Sequence, residues 1–271
     1  MVRILALSLL AMSLVACSSP APKASAPPPA AKAAAPASAA APAPAQPDAN
    51  AVDPAAIQAL KTMGTYLQSL KRFHVSIELS GERVLTDGQK LQHTASSELD
   101  VDRPNKLRAQ MRSARSQRDL FYDGKTVTLY TPAQKYYSKA EFSDNLAGLV
   151  NRLEERYGVE IPTADLFLFG TPAAPLNNIE SAMNAGQDII NGELCDHYAF
   201  RQGQFDWQIW IAAGSKPLPR KLVITNRGDE ARPQSVTLLK WNLNPAFKDS
   251  TFSFTPPKDA KMAEFVPLKT R

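Results

Sequence analysis

Alternation with a period of two constrains this chain most. The run FHVSIELSGERV (73–84) places Phe73, Val75, Ile77 and Leu79 on one side and polar residues on the other. KLRAQMRS (106–113) repeats the pattern, with Leu107, Ala109 and Met111 facing away from Lys106, Arg108, Gln110 and Arg112. Such segments read as strands with one buried face. The turn signals between them are short. TDGQ (86–89) links the first strand to a returning one, and Asp123-Gly124 closes a hairpin inside LFYDGKTVTLYTP. KYYSKAE adds a further strand, so the first half reads as an antiparallel meander of about five or six strands. A second set follows in GQDIINGELCDHYAFR, QFDWQIWIA, RKLVITNR and PQSVTLLKWNL, and the chain closes in a Pro-rich, aromatic tail.

Helical spacing occurs in two places around the first meander. Asp53-Pro54 is an N-cap followed by proline at the first helical position, and Ile57, Leu60, Met63, Leu67 and Leu70 form one apolar stripe behind it. After the meander, Ser143 is placed to cap a helix carrying Leu146, Leu149, Val150, Leu153 and Tyr157. TADLFLFG, starting at Thr163, is apolar nearly all round and predicts a buried helical segment. NNIESAMNAG (177–186) is a third short helix candidate. Long antiparallel sheets have a face that needs cover, and the amphipathic helices supply it. The expected fold class is α+β, a strongly curved antiparallel sheet or half-barrel, with helices covering its concave face.

The N-terminus has a different character. Arg3 precedes an apolar stretch at 4–15 that is shorter than the about 20 residues of a membrane span and matches the core of a signal peptide. It ends Leu14-Val15-Ala16-Cys17, which resembles the lipobox of bacterial lipoproteins. That resemblance implies a lipoprotein signal peptide at 1–16 and lipidation of Cys17. Ser18 follows, and a residue other than Asp there favours delivery to the outer membrane over retention at the inner one. Residues 17–51 are almost wholly Ala, Pro, Ser and Lys, so they cannot bury a core and read as a disordered tether. In polyproline II geometry, at ~3.1 Å per residue, the tether reaches up to roughly 100 Å. Residues 52–271 are expected to form the folded domain. Without the segment before it, 28 basic and 25 acidic residues remain, a balance that gives no basis for nucleic-acid binding.

The folded part resembles the bacterial lipoprotein-carrier superfamily typified by LolA and LolB. More closely, it resembles a family of predicted periplasmic proteins, a domain of unknown function within that superfamily. The resemblance rests on DRPNKLRAQ (102–110), LFYDGKTVTLYTPAQKYY (120–137), NGELCDHYAFRQGQFDWQIWI (191–211), KPLPRKLVIT (216–225) and FSFTPPKDA (252–260). It implies a half-barrel with a helical lid and an apolar cavity that holds acyl chains.

Candidate sites follow from these segments. Cys195, Asp196 and His197 are consecutive, but a strand splits them: Cys195 and His197 share one face and Asp196 takes the other. Positions i and i+2 lie roughly 6–7 Å apart by strand rise, beyond the hydrogen bond a Cys–His nucleophile pair needs. Two ligands also fall short of the four in a structural zinc site. With Cys17 lipidated, Cys195 is a lone thiol that calls for burial or an intermolecular partner. Leu166, Phe167 and Phe169 are candidates for a ligand-contacting lid, and Trp207 and Trp210 for a cavity wall. Plain core packing is the competing reading for all five. Lys106, Arg108 and Arg112 read as a solvated face, with docking to anionic headgroups or an acidic partner as the alternative.

No GxSxG, P-loop, GxGxxG or HExxH pattern is present, so no catalytic residue, metal or cofactor is expected. The expected role is non-catalytic. A lipid-anchored protein of the cell envelope faces the periplasm, more readily from the outer membrane than the inner. Its membrane partner is reached through Cys17, and its ligand is a lipid, acyl chain or other apolar molecule. The alternative is an interaction or envelope-sensing module that binds a protein partner on the same fold.

Overall fold

The computed structural model describes residues 51–159, 161 and 163–265. The lipidation candidate Cys17, the signal peptide and nearly all of the tether lie outside them. A first helix, α1 (Pro54–Ser69), precedes the meander β1 (Arg72–Val84), β2 (Lys90–Asp102), β3 (Lys106–Ser113), β4 (Gln117–Tyr122), β5 (Thr126–Thr131) and β6 (Tyr136–Glu141). Helix α2 (Leu146–Tyr157) and one 3-10 turn (Ala164–Phe167) follow. The second set is β7 (Ile179–Ile190), β8 (Glu193–Gln202), β9 (Phe205–Ala212), β10 (Pro219–Asn226) and β11 (Gln234–Asn242), with a short β12 (Lys261–Met262) near the end.

All twelve strands join one sheet in the order β12-β6-β5-β4-β3-β2-β1-β11-β10-β9-β8-β7. The two meanders meet where β1 pairs with β11, His74 opposite Asn242 and Gly81 opposite Ser235. The sheet does not close: it is a curved half-barrel with the helices on its concave face. Each helix covers one half. Leu60, Met63 and Leu67 of α1 pack on Phe200, Ile209 and Ile211. Leu146, Leu149, Val150 and Leu153 of α2 pack on Val75, Val101, Leu107 and Leu120. Fully burying each such side chain contributes about 1.5–3 kcal/mol, which outweighs any intrinsic preference of a 12-residue helix such as α2.

The expected start of α1 is observed: Asp53 accepts a hydrogen bond from the Ala55 N–H, with Pro54 behind it. Three local expectations change. Helix α2 is capped by Asn145, not Ser143, because the Asn145 side chain reaches the Gly148 N–H at 3.0 Å. Residues 177–186 are not a helix. Most of them form the first half of β7, where pairing with β8 overrides weak local preference. Irregularities in that pairing between Ile179 and Ser181 and between Asn184 and Gly186 absorb the poor strand formers. Residues 163–170 make one 3-10 turn and then bends, not a continuous helix. Positive φ at Thr163 (57°) and Gly170 (81°) closes the segment at both ends.

That bent segment is held by α1. A Cβ on Gly64 would lie 2.4 Å from the Gly170 nitrogen, and one on Gly170 would lie 2.5 Å from the Gly64 carbonyl oxygen. Only glycine at both positions permits this backbone contact. One turn further on, the Gln68 amide donates to the carbonyls of Phe167 (3.0 Å) and Phe169 (2.7 Å). The last aromatic tail wraps the opposite half. Phe254 packs on the convex face against Phe121, Tyr130 and Tyr137 at 5.2–5.4 Å. β12 then pairs in parallel with β6, covering that edge, and Phe265 reaches Tyr157 of α2 at 4.9 Å.

The convex face of β1–β4 carries paired charges. His74 Nδ1 lies 2.7 Å from Asp100, its Nε2 lies 3.0 Å from Glu98 and 3.2 Å from Ser76, and Arg108 approaches Asp100 at 3.6 Å. Arg112 pairs with Asp119, so the basic face is largely neutralised in place.

Two outcomes follow. Gly64→Ala should lower stability by about 1–3 kcal/mol in urea unfolding with unchanged slope; a neutral effect would refute the tight contact. The hydrogen bond His74 donates to Asp100, with the charges of Asp100 and Glu98, raises the His74 pKa above 6.5 against the opposing effect of burial. Its stabilisation is therefore complete below about pH 6.5 and lost as pH rises through the folded value. His74→Gln should cost more stability near pH ~5.5 than near pH ~8.5; equal losses would contradict the pairing.

Candidate functional site

Strand alternation builds an apolar wall on the concave face beside the residues that α1 covers. Register pairs Leu222 with Ile209 and Ile224 with Trp207, so all four face inward, and Leu239 of β11 joins them. The bent segment forms the roof, with Leu166, Phe169 and Pro175 above the wall. Between roof and wall lies a cavity of about 340 Å³. That volume falls within the ~300–1,000 Å³ range of small-molecule sites. A hollow of about 510 Å³ is more open to solvent, with Glu78, Ser80, Thr94 and Arg112 beside Leu79, Val236 and Leu238. Another, of about 530 Å³, includes Glu193, Arg220 and Lys240. Their size alone does not make them ligand sites, because neither combines shelter with an apolar lining.

The wall is rigid. Trp207 stacks on Phe200 with ring centroids 4.1 Å apart and planes at 16°. Its indole N–H donates to the Gln202 side-chain oxygen at 3.2 Å. The Gln202 amide in turn donates to the carbonyls of Pro175 (3.1 Å) and Asn177 (2.6 Å), tying roof to wall. At the far end, the Trp241 indole donates to the Pro219 carbonyl at 2.8 Å, fixing β10 against β11. The polar lining is confined to Thr163, Asp165 and Gln202. Desolvation raises the Asp165 carboxyl above its ordinary value.

The structure divides the five candidates. Leu166, Phe169 and Trp207 line the cavity together. Phe167 turns the other way, into the core between β1 and α2, 6.5 Å from the Phe73 ring. Trp210 lies on the convex face, because three positions along a strand reverse the side chain relative to Trp207. There it stacks on His197 at 4.0 Å, takes the Lys221 ammonium over its ring at 4.3 Å, and donates to Asp188 at 2.7 Å. Leu222, Ile224, Leu239 and Pro175 are lining residues that the sequence reading did not single out. The alternation of KLVIT carried the signal for Leu222 and Ile224.

Cys195 and His197 share the convex face, and Asp196 faces the other way, bonded to Gln187 at 2.8 Å. Cys195 is fully buried beside Trp210 and Val223. Burial pushes its thiol pKa up, away from the reactive thiolate. Its Sγ contacts the Glu193 carbonyl at 3.5 Å, and it forms no disulfide among the described residues. Among those residues, no group of three or more His, Cys, Asp or Glu side chains is arranged to hold a metal ion.

Comparison with solved structures finds LprF from Mycobacterium bovis at 13% identity, covering 78% of this chain and 100% of that one, with a TM-score of 0.46. The lipoprotein LppX from Mycobacterium tuberculosis matches at 11% identity over 72% and 98% of the two chains, TM-score 0.46. A LolA superfamily protein from Nitrosomonas europaea matches at 11% identity over 73% and 97%, TM-score 0.33. No curated protein sequence matches the chain. A family model described as "predicted periplasmic protein (DUF2092)" matches residues 56–266, and the chain belongs to that family.

Proposed function

We propose that this protein is a non-catalytic, lipid-anchored periplasmic binding protein that holds an acyl chain or other apolar ligand between sheet and roof. The observation that carries the reading is the cavity of about 340 Å³ with an almost wholly apolar lining. Apolar burial at about 25 cal/mol per Å² supplies the affinity. The fixed Trp207 face lowers the ordering cost of binding. The roof is the movable part: it is one short turn held by the single Gly64–Gly170 contact and the Gln68 and Gln202 amides, whereas the wall is continuous sheet. The LVAC stretch ending at Cys17 supports anchoring through a lipidated thiol, and Ser18 favours the outer membrane. Residues 17–51 would let the domain work at a distance from that membrane.

A second reading is a protein-interaction module. Ile189 is 71% and Leu194 48% exposed at the β7–β8 hairpin, on the sheet edge opposite the covered β6. An exposed edge with apolar side chains suits strand addition by a partner.

One experiment separates them. Cys17→Ser should move the chain from the membrane to the soluble periplasmic fraction. The soluble chain should take up the neutral fluorophore N-phenyl-1-naphthylamine at about one per chain, as an apolar pocket of this size predicts. Ile224→Trp, which pushes a bulky ring into the cavity, should sharply weaken uptake without unfolding the protein. A chain that stays in the membrane contradicts the anchor. Uptake unaffected by Ile224→Trp contradicts the cavity and leaves the interaction reading.

A further inference from the structure

Arg103 carries an unanswered charge beside the cavity. It lies in the β2–β3 turn, where its backbone N–H donates to the Lys71 carbonyl at 2.8 Å. Its guanidinium carbon sits 5.9 Å from the Phe167 ring centroid. The side chain lines a narrow gap with Phe73, Leu99, Thr163, Leu166 and Trp241. Thr163 and Leu166 line both that gap and the cavity. Trp241 of the gap and Leu239 of the cavity are successive inward residues of β11. The guanidinium therefore stands at the inner end of the apolar chamber.

Its Nε is shielded from solvent and has no hydrogen-bond acceptor. The same holds for the Nε atoms of Arg108, Arg220 and Arg227, but each of those guanidiniums has a carboxylate within 4.0 Å. Among the described residues, Arg103 has no such carboxylate. Burial alone lowers its pKa, and burial alone raises that of Asp165. A guanidinium nevertheless stays charged at any physiological pH. Arg103 is half-buried, and a guanidinium whose shielded Nε has no acceptor gains from an anion that completes it.

We propose that Arg103 is the receptor for the anionic group of a single-chain amphiphile whose tail fills the cavity. The planar guanidinium fork matches a carboxylate or phosphate in bidentate geometry. The head would lie inward, displacing Leu166 and Thr163 from the gap, and the tail would run outward along β9 and β10 toward Phe205. This assignment rests on the apolar-ligand reading of the cavity and adds the charge and orientation of the ligand. A fatty-acid carboxylate and a lipid phosphate share the recognition chemistry.

The test is displacement of N-phenyl-1-naphthylamine from the Cys17→Ser chain by palmitate, hexadecyl phosphate and hexadecanol, each kept below self-association. An anion receptor predicts that palmitate or hexadecyl phosphate displaces the probe at about 10-fold lower concentration than hexadecanol. The stronger of the two identifies the anion. Arg103→Gln should remove the preference while leaving hexadecanol displacement unchanged, and Arg103→Lys should keep part of it. If all three act equally on the parent chain, the Arg103 assignment is overturned and the apolar cavity stands. If the probe is taken up but Arg103→Gln keeps the full preference, the assignment also fails. If the probe is never taken up, the cavity reading fails and the assignment goes with it. Because the three-ligand comparison uses the parent chain, it decides even if a variant does not fold.

Discussion

The contact between Gly64 and Gly170 sets the rest of the binding architecture. It lets the backbone after the 3-10 turn lie directly on α1, and Gln68 then captures two carbonyls that this turn leaves unpaired. With those carbonyls fixed, Phe167 points into the α2 half of the core and Phe169 into the α1 half. Leu166 touches both clusters. The roof is therefore a seam between the two helix-covered halves of one sheet. α1 covers Ile209 and Ile211 on the inward face of β9, and the cavity opens beside that contact, between the seam and Trp207, Leu222 and Ile224.

Much of this was legible in residue pattern. Alternation gave the strands of both meanders, Asp53-Pro54 gave the start of α1, and the demand for cover on a curved sheet gave the α+β half-barrel. The same alternation split Cys195 and His197 from Asp196. What escaped the pattern depended on distant partners. Residues 177–186 are poor strand formers that β8 recruits by backbone pairing. Residues 163–170 look like a helix because they are apolar, but their bends are imposed by Gly64 and Gln68, about a hundred positions earlier. Phe167 and Trp210 were read as cavity candidates from hydrophobicity. Their directions are decided by a turn geometry in one case and by strand parity in the other. Leu239 and Pro175 join the cavity only through the assembled sheet and roof, which no local window contains.

The site and the chain's ends describe one arrangement. Family membership over residues 56–266 covers the whole sheet and both helices. Within that span, the tail strand β12 pairs with Tyr136 and Tyr137 at the start of β6. At the other edge, Val52 bridges to Ala182 in the first half of β7, and Ile189 near its end is exposed. The convex face spends its charges on pairs such as His74 with Asp100, and its aromatic residues on Phe254 and Trp210. The concave face keeps an apolar chamber, and Arg103 lines the narrow gap that adjoins it.

Native mass spectrometry of the Cys17→Ser chain, purified from the periplasm without detergent, tests the central claim most directly. The expected spectrum shows a complex with one bound amphiphile that collisional activation releases, and much less of it in the Ile224→Trp variant. A parent chain that carries no lipid, and acquires none when exposed to periplasmic lipid extract, would contradict it.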